Sequence, residues 1–357
     1  MEEKIIKEIV DNSLQLISCA TISGNFDEFD KAFQIIKEQL NDYYIREVIV
    51  GDYKNLIISN TESKDLDIIF CCHIDVVPND KYKGIIKDNK LLGRGSFDMK
   101  SQLSVVMSLL KNNKSDKKIA FFISSDEETG GYCCKTMLEE YNASLAVIPD
   151  GGKNFELIVE EKGLLQFNIH STGISAHASE PYKGKNAILT NMEIYYKLLE
   201  KYTQPKSNDD FRTTINLSKI NGGGAVNMVA AESTITLDVR FTKDFDQDVF
   251  FNYVKEIAPN SEIEIIDQGP MFYVNSNNPL IVDFLDKASN ILGYQPKISK
   301  CVATSDAIYF SEKGIPTILI NPKGDFWHTK DEYVEIDSLY SLYLLFKSLI
   351  WFFYYLC

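Results

Sequence analysis

Short apolar runs alternating with helical patterns constrain this chain more than any other feature. Residues 56–58, 67–72, 119–124 and 146–148 have the length and apolar content of buried strands. Residues 102–111 and 131–141 have helical patterns and fall between the last three of them. Strand and helix in alternation predict an α/β layer, with a mostly parallel central sheet flanked by helices. The pattern returns near the end of the chain, with a helix over 279–292, a strand over 317–320 and a terminal helix.

The middle of the chain reads differently. Residues 164–171, 213–220, 233–241 and 262–266 look like strands, the second and third alternating as antiparallel strands do, while 186–201 and 245–257 look helical. The order βαββαβ is enough for a small sandwich of one sheet and two helices. Hinges are expected near Lys162 and at Gln268-Gly269-Pro270, where glycine and proline permit turns. A length of 357 residues is comfortable for two domains. The expectation is a catalytic domain over 1–162 and 271–357, interrupted by an inserted lid domain over 163–270.

Composition excludes some partners. The formal charge is −14 and no block of lysine and arginine interrupts it, so nucleic acid is not an expected partner. Seven cysteines include the adjacent pairs Cys71-Cys72 and Cys133-Cys134, a spacing unlike a zinc knuckle or redox motif. They read as small apolar core residues in a reducing compartment. The first residues read as an amphipathic helix with Ile5, Ile6, Ile9, Leu14 and Ile17 among its apolar positions, rather than as a signal peptide. The last eighteen residues are nearly long enough to span a bilayer, but Lys347 sits near their middle. Leu339, Leu342, Phe346, Leu349, Ile350 and Phe353 keep helical spacing, as expected of a helix packed on the protein. No membrane partner is expected, and the predicted location is cytoplasmic.

Five short segments concentrate the reactive residues. The first delivers His73 and Asp75 at the end of an apolar run, two residues apart, so that the carboxylate can orient the imidazole. The second, Gly93-Arg94-Gly95-Ser96-Phe97-Asp98-Met99-Lys100-Ser101, brings Asp98 to the start of a helix that Ser101 could cap. The third places Asp126, Glu127 and Glu128 directly after a hydrophobic strand, and the fourth ends a strand at Asp150. The fifth, Phe326 to Tyr333, holds His328 and Glu332. Each segment alone has an ordinary reading: a structural histidine, a capping turn, a loop facing water. Together they bring two of the four histidines and several acids to strand ends, where sites form in open parallel sheets. Acids gathered in one cleft repel one another unless cations hold them, and mixed histidine and carboxylate donors suit a borderline divalent ion.

These segments resemble the dinuclear zinc amidohydrolases that include aminoacylase, acetylornithine deacetylase, succinyl-diaminopimelate desuccinylase and related carboxypeptidases and dipeptidases. The shared elements are H-x-D-x-V-P, G-R-G-x-x-D-M-K, D-E-E-x-G and H-x-x-x-E-Y, and the resemblance extends to the position of the inserted lid. It implies two divalent metal ions, zinc by expectation, with cobalt or manganese compatible with the same donors. It implies His73, Glu128, Asp150 and His328 as ligands, with Asp98 bridging the two ions. Asp75 would orient His73, and Glu127 would act as general base. The peptide after Asp98 is expected to be cis.

The resemblance also implies roles in the lid. His177, in Gly173-Ile174-Ser175-Ala176-His177-Ala178-Ser179, would reach a neighbouring subunit's site and stabilise the transition state, through a homodimer formed by the lid. Arg240 would bind a substrate carboxylate, and Asn227 would add a polar contact. His170 and Arg94 read as structural. The chain departs from the family at Ser101, where a glycine is common, and after Asn227, where many relatives have a proline.

The function implied is metal-dependent hydrolysis of an amide bond in a small N-acyl amino acid or short peptide bearing a free carboxylate. An aminopeptidase of related fold is one alternative. A non-catalytic module that keeps the metal or ligand shell is another.

Overall fold

The computed structural model describes residues 2–79, 82–207 and 210–351. The chain divides into two compact units, Met1–Val159 with Phe272–Cys357, and Glu160–Met271.

The first unit is built on a nine-stranded mixed sheet. Its centre is parallel: Asp65–His73 lies between Ile119–Ser124 and Asn142–Ile148, and Thr317–Ile320 continues the parallel set beyond Asn142–Ile148. Antiparallel strands close it on one side with Tyr53–Ser59 and then Tyr44–Val50. On the other side Leu157–Glu161 pairs antiparallel with Thr317–Ile320. Every residue of Ile119–Ser124 is buried, which explains the continuous apolar run in place of alternation. Phe70, Phe121 and Phe122 are fully covered, each worth about 1.5–3 kcal/mol in apolar burial. The helix Lys100–Lys111 is buried along all but its last residue and packs against Glu2–Ile17 and Ile336–Ile350.

Two expectations about helix ends change. Ser101 does not cap the helix Lys100–Lys111. Met99 occupies the cap position with no side-chain bond, and Ser101 lies buried inside the first turn. The reason is local: Lys100 N–H already bonds the Gly95 carbonyl at 2.8 Å, so the glycine turn itself starts the helix. The terminal helix Ile336–Ile350 buries Leu339, Leu342, Phe346, Leu349 and Ile350. Phe353 lies outside the described residues. Among the described residues, no helix is long and apolar enough to cross a membrane.

Cys19, Cys71, Cys72, Cys133 and Cys134 are buried free thiols, and Cys301 is a half-buried one. A small third sheet was not visible in the sequence pattern. It orders Gly324–Asp325, Tyr333–Glu335, Lys90–Leu92 and Ile85–Lys87, and so draws residues 93–98 and 326–332 to the same place.

The second unit is a four-stranded antiparallel sheet in the order Thr214–Gly222, Glu232–Phe241, Gly163–Thr172, Ser261–Gly269. Leu165, Phe167 and Ile169 point into a core completed by Ile194 and Leu198 of Ala187–Lys201 and by Phe250 and Val254 of Gln247–Ile257. Asn186 and Asp246 cap those helices through backbone N–H groups. His170 stands on the opposite face, 2.8 Å from the Thr234 hydroxyl, a sheet contact that fits its structural reading.

Candidate metal centre

The parallel strands deliver their last residues to one edge of the sheet, and the candidate ligands follow there. His73 closes Asp65–His73, the acidic turn Glu127–Thr129 follows Ile119–Ser124, and Asp150 follows Asn142–Ile148. His328 comes after Thr317–Ile320, in the hairpin between Gly324–Asp325 and Tyr333–Glu335, with φ of 60°. Asp98 arrives from the glycine turn, and the Asp98–Met99 peptide is cis.

Asp98 joins two groups of donors. Its Oδ1 is 2.9 Å from His73 Nε2, and its Oδ2 is 3.2 Å from His328 Nε2. His328 Nε2 is also 3.1 Å from Glu128. One donor set is His73, Asp98 and Asp150, the other Asp98, Glu128 and His328, and within each set ligand atoms lie within 4.8 Å of one another. Two sets sharing one carboxylate are an arrangement suited to a pair of divalent ions. The donor chemistry, imidazole nitrogen with carboxylate oxygen, suits zinc and its neighbours.

The support beneath these ligands differs in detail from expectation. His73 Nδ1 lies 3.0 Å from the carbonyl oxygen of Asp75 and 3.4 Å from its carboxylate, and Asp75 is almost fully buried. The other oxygen of that carboxylate accepts the Glu128 N–H at 2.9 Å, so Asp75 touches residues of both donor sets. The end of the His73 strand is braced by Thr21, whose hydroxyl donates to the Ile74 carbonyl at 2.6 Å.

The electrostatics express crowding. Burial pushes Asp98 up, but hydrogen bonds from His328 and His73 more than offset it and hold the carboxyl well below the usual range. Burial, with Asp98 nearby, raises Asp150 to about 6. Burial also pushes Glu127 well above an ordinary glutamate, with His73 pulling against it and Asp150, Asp306 and Asp98 adding to it. His328 is pushed up to about 10 by its contacts with Asp98 and Glu128. This many carboxylates gathered around two imidazoles would be stabilised by cations.

The sequence reading assigned no role to three residues. Glu332 receives two backbone N–H groups of the Phe97–Asp98 segment, at 2.9 and 3.1 Å. Arg94, read as structural, donates to the same carboxylate. Asp306 accepts from Ser124, the residue paired with His73 across the sheet, and burial raises it to about 7. The H-x-x-x-E spacing was the one available signal for Glu332. Asp306 carried none, being a lone acid outside the five segments.

His177, Asn227 and Arg240 belong to the second unit. An isolated bridge pairs His177 with Met228, and Ala178 N–H donates to the Asn227 carbonyl at 2.9 Å, so His177 and Asn227 share one exposed loop region. His177 Nδ1 lies 2.8 Å from the Ser179 hydroxyl. Arg240 lies near the other end of Glu232–Phe241 and pairs with Asp238 at 2.9 Å.

Comparison with known proteins narrows the class. Residues 69–351 match the model of peptidase family M20/M25/M40. The chain belongs to that family. It is a hydrolase of the M20 group, with its α/β layer interrupted in sequence by the sheet-and-helix unit. It is 24% identical to the [LysW]-lysine/[LysW]-ornithine hydrolase of Saccharolobus islandicus, over 98% of both chains. Among solved structures it is similar to the aminopeptidase PepT of Bacillus cereus, at a TM-score of 0.79 and 21% identity, covering 97% of this chain and 98% of that one. It is also similar to a Bacillus subtilis protein described as a dinuclear metal-binding peptidase of the M20 family, at a TM-score of 0.68 and 15% identity, covering 98% of each chain.

Proposed function

We propose that this M20 hydrolase cleaves the amide bond of a small N-acyl amino acid or short peptide with a free carboxylate, using two divalent ions, zinc by preference. The observation that carries the reading is Asp98, one carboxylate whose two oxygens face His73 and His328. His73, Asp98 and Asp150 would hold one ion, and Asp98, Glu128 and His328 the other. When bound, such a pair supplies Lewis acidity to the scissile carbonyl and makes water acidic enough to attack near neutral pH.

The remaining steps belong to the chain. Glu127, beside Glu128 in the same turn, takes a proton from the attacking water and returns it to the leaving nitrogen. Asp75 holds the His73 ring and the Glu128 backbone, so neither ligand swings during turnover. His177 donates to the developing oxyanion in a homodimer built through the inserted unit, Arg240 grips the substrate carboxylate, and Asn227 adds a polar contact. The buried free thiols suit a reducing cytoplasm.

The test is metal content combined with a panel of N-acyl amino acids and dipeptides. About two ions per chain, and turnover that disappears on chelation and returns with zinc, are expected. Turnover of a dipeptide that persists when its C-terminus is amidated would favour an aminopeptidase, the fold neighbour PepT being one by name. Bound metal without turnover on the panel would favour a binding module.

A further inference from the structure

The ion pair beneath the centre is unusual for its position. Glu332 and Arg94 are 1% and 3% exposed, and each carries a formal charge. A buried pair of this kind is a poor stabiliser, because removing both charges from water offsets most of their attraction. The satisfaction here is also incomplete: Arg94 Nε is buried with no hydrogen-bond partner among the described residues. Stability alone therefore gives little reason for an acid at 332.

The contacts give another reason. Glu332 Oε1 accepts the N–H groups of Phe97 and Asp98, at 2.9 and 3.1 Å, while Oε2 accepts from Arg94. The Glu332 carbonyl accepts the Gly93 N–H at 3.1 Å. Both ends of the segment 93–98 are thus fastened to one residue. That residue stands four positions after His328 in the same hairpin, so the loop that supplies one imidazole also fixes the carboxylate facing it. Gly324, at the base of the hairpin, packs so closely on Phe97 that a Cβ there would lie 2.2 Å from its ring.

We infer that Glu332, braced by Arg94, is a positioning residue for the metal pair: it clamps the backbone at Phe97–Asp98 so that the two Asp98 oxygens face His73 and His328 at once. A charged acceptor holds two N–H donors on one oxygen more strongly than a neutral amide does. The inference rests on the reading of Asp98 as a bridging ligand. Positioning groups behind metal ligands are typically worth tenfold to a hundredfold in metal affinity.

The experiment uses the full chain loaded with cobalt(II) alone, read by its visible absorption and by competition with a chromophoric chelator. For the wild-type protein, binding of about two equivalents is expected, and failure to bind would sink the proposed metal centre rather than this inference. Glu332→Gln is expected to fold, keep one amide acceptor, and lose tenfold to a hundredfold in cobalt affinity, with an altered spectrum. Glu332→Asp, which keeps the charge but shortens the reach, is expected to fall between the two. Arg94→Met provides a second route: it leaves the N–H contacts in place but frees the carboxylate, and it is expected to weaken cobalt binding by a smaller factor. Wild-type affinity and an unchanged spectrum in folded Glu332→Gln would overturn the inference. So would wild-type affinity in Arg94→Met, should Glu332→Gln not fold.

Discussion

The two units of this chain place polar residues by opposite rules. In the first, the central strands are apolar on both faces, so a histidine or acid at a strand end interrupts the pattern. In the second, Gly163–Thr172 alternates buried and half-exposed residues along its length, and polar side chains occur every second position as a matter of period. The lesson concerns contrast. His73, Glu128 and Asp150 stand out because they end or follow buried apolar strands, whereas Asp98 and His328 arrive from a glycine turn and a hairpin. His177 and Arg240 stand among residues of their own kind, and their contacts are short-range: Ser179 for one, Asp238 for the other.

The comparison can be broken by substitution. Glu127→Gln should lower kcat by about 10²–10⁴-fold while metal content stays at the wild-type level, measured by steady-state kinetics and metal analysis. Near-normal turnover would remove the proposed base from the first unit. His177→Ala should cost about 10²–10³-fold in kcat with metal content untouched, the behaviour of a lost oxyanion donor. A variant indistinguishable from wild type would leave the second unit without a share in the chemistry. Arg240→Ala should act mainly on KM, raising it roughly tenfold to a hundredfold for substrates with a free carboxylate, as expected for a charged hydrogen bond. The same change measured on an amidated substrate should be small. If KM rises equally for both, Arg240 does not read that carboxylate. The smallest effect tests independence: Asn186→Ala removes the cap bonded by the Ile188 N–H and should cost about 1 kcal/mol in urea unfolding of the second unit. Metal affinity in the first unit should not change.

Legibility in the sequence followed the same division. The continuous apolar runs of the central strands and the βαββαβ order of the second unit were readable, whereas Tyr44–Val50 and Leu157–Glu161 were not anticipated. Ile85–Lys87, Lys90–Leu92, Gly324–Asp325 and Tyr333–Glu335 were not, since strands of two or three residues show no period at all. That omission hid the neighbourhood of residues 93–98 and 326–332, and with it the part played by Glu332. Ser101 was misplaced for a related reason: a serine near a helix start suggests a cap, but the backbone of Gly95 had already taken the first bond. The candidate ligands were visible as chemistry; what holds them was visible only as geometry.

The hairpin that carries His328 has a consequence for how the protein is made. Translation supplies the donors in the order 73, 98, 128, 150, and then the whole of Glu160–Met271 before 328. His73, Asp98 and Asp150 are all synthesised before the last member of the other candidate set. On the proposed reading, the second set would be complete only after residue 328 has been synthesised, once a segment that contributes no candidate donor to either set has been made.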